Sequence, residues 1–95
     1  MLADLILAEC VYVLESFYEL EPARVAELMR AALAMPGIVA LDAALLLRAL
    51  EVYELDRIDF AEAYLVAQAE RSGVGEILSF DRSLDRVASV RRREP

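Results

Sequence analysis

Residues 76–85 read EILSFDRSLD, Glu76 to Asp85. An apolar run climbs to Phe80 and stops on Asp81. The run has the length and composition of a short buried strand. Before it lies FAEAYLVAQAERSG, a helical pattern that begins at the Asp59 cap and ends on Gly73. After it come DRSLDR, read as a turn or short helix, and VASVR, read as a last strand. Helices that alternate with short apolar strands indicate an α/β chain, helix-rich, with about three short parallel strands. In such folds ligands gather beyond the carboxyl ends of strands, which is where Asp81 falls. Asp81 either opens a turn or joins other carboxylates at a metal.

Composition narrows the chemistry. The 95 residues suit one domain, 1–95, and the 59% apolar content is enough for a real core. The net charge is −7, and every basic residue is arginine. Arg91, Arg92 and Arg93 form the one basic run, so long-range attraction to phosphate is weak. The chain has no His, which excludes the Ser–His and Cys–His nucleophile pairs. Cys10 is alone, leaving neither an internal disulfide nor a cysteine cluster for zinc. Three glycines make no phosphate-binding loop. No apolar run reaches the roughly 18 residues of a membrane span, and no basic region of a signal peptide opens the sequence. The plain expectation is a soluble cytoplasmic protein.

The first segment, about Asp4 to Glu19, is apolar nearly all round and reads as a helix buried on several sides. Glu9 interrupts it. It is either a buried carboxylate that needs a partner or a metal, or a member of a narrow exposed stripe with Glu15 or Ser16. The second helix is expected from Pro22 to Met35. Leu28, Ala31, Ala32 and Met35 would form its apolar stripe, and Arg24, Glu27 and Arg30 its wet face. IVAL, Ile38 to Leu41, is a strand candidate. Asp42 follows it and caps the next helix, AALLLRALEVYEL. Asp59 to Glu62 fits a capping box, and alanines at 61, 63, 67 and 69 keep that fourth helix slim. Glu9, Glu62 and Asp81 could converge, and such oxygen donors suit Mg²⁺ or Mn²⁺.

With LAECVYVLESFYEL, DFAEAYLVAQAERSG and ILSFDRSLDRV in this order, the sequence resembles the PIN domain, and within it the VapC-type toxin ribonucleases. The likeness covers almost the whole chain. It implies a three-layer α/β fold and Mg²⁺- or Mn²⁺-dependent cleavage of RNA. Glu9 matches the family's second acid, Glu62 the third and Asp81 the fourth, which makes these three the implied catalytic residues. Asp59 matches a frequent companion and joins them as an implied metal ligand. Asp85 is a solvated turn residue.

The sequence departs from the family at one point. PIN domains open on a strand that ends in an Asp, usually followed by Thr or Ser and then Asn. This chain contains no Thr and no Asn. The resemblance therefore implies a truncated fold that lacks the opening strand and its metal-binding acid, and so weak or no activity alone. Exposed strand edges would then invite a second chain. A homodimer, an antitoxin or the missing half would be the partner, and RNA only if the chain is active. A non-catalytic interaction module is the alternative. A helical domain whose acids merely solvate its surface is the simplest competitor.

Overall fold

The computed structural model describes residues 2–35, 42–73, 75–79 and 82–95. Four helices, α1 (Leu2–Ser16), α2 (Pro22–Leu33), α3 (Ala43–Leu55) and α4 (Phe60–Ser72), precede strand β1 (Glu76–Leu78). A 3-10 helix (Arg82–Arg86) and strand β2 (Arg91–Arg93) follow. The two strands are parallel, with Glu76 opposite Arg91 and Leu78 opposite Arg93. This is the expected helix-rich α/β architecture. The third strand candidate, 38–41, lies outside the described residues.

α3 and α4 form the centre. α2 packs on α3, α1 packs on α2 and α4, and β1 leans on α4. Val25 and Ala26 of α2, Leu46, Ala49 and Leu50 of α3, and Ala63 and Val66 of α4 are wholly buried together. Tyr53 meets Phe60 edge to face, with ring centroids 6.2 Å apart, where the α3–α4 turn closes. The slim, alanine-rich α4 lets its neighbours come close.

Local signals set the helix ends. Pro22 stands in the first turn of α2, where its missing N–H costs nothing. The Asp42 side chain accepts from the Leu45 N–H at 3.0 Å and starts α3. Asp59 does the same for Glu62 at 2.9 Å and starts α4. Gly73 ends α4 in the left-handed region, φ 77°. α1 stops at Ser16, short of the expected Glu19. The chain turns away through Glu19 at φ 53°, and the Leu20 N–H reaches back to the Leu14 carbonyl.

Two expectations need correction. The core face of α2 is Val25, Ala26 and Met29, while Ala31 is exposed and Met35, beyond the helix end, is 58% exposed. Arg30 is not simply wet but pairs with Glu54 of α3 at 2.7 Å. Packing against α3 selects this face, and the apolar residues along the rest of α2 do not reveal it. The last strand is Arg91–Arg93 rather than 87–91. Val87 is buried in the core, and residues 88–90 turn before the arginines pair with β1.

Nothing lies within 4 Å of a Cβ added at Gly73, so the cost of replacing it is backbone strain alone. Gly73→Ala should therefore destabilise the chain by about 1–2 kcal/mol in urea unfolding, and Gly73→Asn by less. Equal stability of all three proteins would contradict the left-handed cap.

Candidate functional site

Four acids carry the metal-site expectation, and the structure treats them differently. Asp59 and Glu62 come together in the first turn of α4, joined by the Asp59 cap on the Glu62 N–H. Glu62 is half-buried, and its Oε2 is shut off from solvent. Glu9 is exposed on α1, beside exposed Tyr12 and Ser16. The exposed-stripe alternative therefore holds for Glu9. Glu15 differs, being half-buried and accepting the hydrogen bond of the Tyr53 hydroxyl. That contact and burial hold the Tyr53 phenol above its ordinary pKa, desolvation being the larger cause. Asp81 lies outside the described residues. Among the described residues no three His, Cys, Asp or Glu side chains are grouped so as to hold a metal ion.

A shallow groove of about 270 Å³ runs between α1 and the start of α4, lined by Ala8, Val11, Tyr12, Glu15, Asp59, Phe60 and Ala61. It brings Asp59 against α1. A larger groove of about 560 Å³ opens beside β1. Leu45, Leu65, Ala69 and Arg71 line it, together with Glu76, Ile77 and Leu78. It lies where α3, α4 and β1 meet.

The strongest polar contacts were not legible in the sequence. Arg48 of α3 grips Glu70 of α4 with two bonds, Nε to Oε1 at 2.7 Å and Nη2 to Oε2 at 2.8 Å. Such a fork is the geometry in which arginine binds carboxylate best. Arg48 also holds Glu51 at 2.5 Å, and Ser89 donates to Glu70. Arg48 pulls the Glu70 carboxyl below its ordinary pKa, with Ser89 adding to the effect. Asp42 has a second role besides its cap, since Arg71 bonds both of its oxygens. Arg71 first, and the Leu45 N–H second, hold Asp42 below its ordinary pKa. Arg48 and Glu70 stand 22 positions apart, so no local pattern could have paired them.

Two arginines of the basic run are also paired. Arg92 is half-buried and bonds Asp85 at 2.9 Å, Glu94 at 3.3 Å and the Ser79 carbonyl at 3.2 Å. Arg93 reaches Glu76 at 3.4 Å. Asp85 of the 3-10 helix is solvated, as expected, and is also ion-paired with Arg92. Arg86 Nη1 donates to the Arg57 carbonyl at 2.7 Å, joining the 3-10 helix to the α3–α4 turn.

The sequence profile of the PIN domain matches residues 1–90. The chain belongs to the PIN domain family, a nuclease-like family whose members generally use divalent metal ions. No curated protein and no solved structure matches the chain significantly. No helix of the described residues is long and apolar enough to cross a membrane.

The lowered pKa of Glu70 fixes the sign of a pH effect. Its ionised form is favoured by folding, so its contribution is complete above the unfolded carboxylate range. That contribution is lost as pH falls through the lowered folded value. The melting temperature should fall as pH drops below the ordinary carboxylate range. Glu70→Gln should lower it at neutral pH and flatten its fall in acid, both read by thermal circular dichroism. An unchanged acid slope in the variant would remove Glu70 from the account.

Proposed function

We propose that this chain is a VapC-like PIN protein related to Mg²⁺- or Mn²⁺-dependent toxin ribonucleases, and that alone it is weakly active or inactive. The observation that carries the reading is the PIN match over residues 1–90, in which Glu62 and Asp59 share the first turn of α4. Glu9, Asp59, Glu62 and Asp81 are its metal-binding acids, with Glu9, Glu62 and Asp81 closest to the chemistry. Their all-oxygen chemistry fits a hard divalent cation. Such a cation, when bound, would lower the pKa of a water and offset charge on the phosphate.

The residues of the chain have separate tasks in this reading. Asp59 fixes the first turn of α4, and with it the direction of Glu62. Asp81 is the fourth acid of the reading on motif order alone. The family's opening acid has no counterpart among these 95 residues. The bonds of Arg92 and Arg93 to carboxylates leave little basic surface for RNA, which agrees with weak activity alone.

A non-catalytic interaction module is the second reading. It is favoured by the exposed apolar side chains of α1. An antitoxin would be a natural partner in either case. Mn²⁺ calorimetry with a parallel RNA cleavage assay separates the two. The proposal expects measurable Mn²⁺ binding that weakens roughly tenfold or more in Glu62→Gln and in Asp81→Asn. Slow cleavage, if present, should vanish in both variants. No Mn²⁺ heat and no cleavage from the folded chain would leave only the module.

A further inference from the structure

We propose that the hydrogen bond from the Tyr53 hydroxyl to Glu15 is a latch that seats α1, and that its release lets α1 lift while α3 and α4 stay folded. Three helices meet at Tyr53. It belongs to α3, its ring packs edge to face on Phe60 at the start of α4, and its hydroxyl donates to Glu15 in the last turn of α1. The ring is core, since Tyr53 is only 2% exposed, whereas Glu15 is half-buried. The bond therefore lies at the boundary between core and solvent. If the hydroxyl is removed, the Glu15 carboxylate loses a donor that water replaces in full once α1 lifts.

Two features make α1 the element that moves. The first is its seat. Over residues 6–16 α1 buries Leu7 and Val11, whereas α3 buries five side chains and α4 another five. Ile6, Tyr12 and Val13 stay exposed, so much of its apolar surface gains nothing from docking. Elements with few buried apolar side chains open at lower free energy than the core. On so small a seat, one hydrogen bond to a charged acceptor is a large share of what holds the helix down. The second is a hinge. Residues 17–21 join α1 to α2, and Glu19 within them is already left-handed. A short connection of this kind can absorb the change in backbone angles that a lifting helix requires.

The latch also bears on the start of α4. Glu15 and Asp59 both line the groove of about 270 Å³ beside α1. Both also line a second groove, of about 510 Å³, together with Glu21, Glu54 and Arg57. Lifting α1 opens the two into one cleft with Asp59 inside it. The latch then governs access to Asp59 as a metal-binding acid, and this consequence alone rests on the nuclease reading.

Native-state hydrogen exchange on the intact chain, read by mass spectrometry, tests the latch. α1 should exchange faster than α3 and α4 in the native chain. Tyr53→Phe keeps the ring and its contact with Phe60. It should speed exchange of α1 by roughly tenfold or more and leave α3 and α4 within about twofold of native. Glu15→Leu breaks the same bond from the other end and should act likewise. Glu15→Gln keeps an acceptor and should fall between Glu15→Leu and the native chain. Unchanged α1 exchange in Tyr53→Phe or in Glu15→Leu would overturn the proposal. So would acceleration shared equally by α3 and α4, which marks a general loosening of the fold, or Glu15→Gln as fast as Glu15→Leu. None of these measurements involves a metal ion. A chain that binds no Mn²⁺ would therefore end the nuclease reading and leave the latch standing.

Discussion

α3 and α4 run antiparallel, held at one end by charge and at the other by rings. Arg48 and Glu70 form the fork near one end, and Arg71 grips the Asp42 cap beside it. Tyr53 and Phe60 close the other end. Between them lie the buried alanines Ala49, Ala63 and Ala67, which let the two backbones approach. The charged end agrees with the helix dipoles, because Asp42 sits at the start of α3 and Arg71 in the last turn of α4. α2, α1 and the sheet then pack on this pair. Glu62 inherits its position from it, since the turn that returns the chain into α4 also delivers the Asp59 cap.

The all-arginine composition gains meaning in this setting. Arg48, Arg71 and Arg92 each hold a carboxylate with more than one hydrogen bond, which the planar guanidinium does and an ammonium does not. The net charge of −7 therefore leaves little positive surface, because much of the arginine is spent on internal contacts. A long-range field that draws in nucleic acid is not a property of this chain by itself.

How much of this was legible depends on whether the signal was local. The start of α3, both ends of α4 and the 3-10 helix could be read, because Asp42, Asp59 and Gly73 act on groups within a turn of themselves. The buried face of α2 could not be read in the same way. Met35 looked like core and is exposed, because the partner helix decides which face turns inward. The final strand slipped from Val87 to the arginines for a similar reason. Val87 is drawn into the core, and Glu76 and Asp85 make a polar strand acceptable. Motif order names the acids but carries no geometry. Glu62 is half-buried beside its cap, while Glu9 faces solvent.

The Arg57 carbonyl accepts from Arg86 at the turn where the backbone itself is left-handed, at φ 57°. Ile58, next in the chain, is buried, and Asp59 follows as the cap. The 3-10 helix Arg82–Arg86 is thus moored to the same turn that delivers the Asp59 cap to Glu62. One turn thus serves two elements far apart in sequence, and slack in it would be felt in both the 3-10 helix and the start of α4.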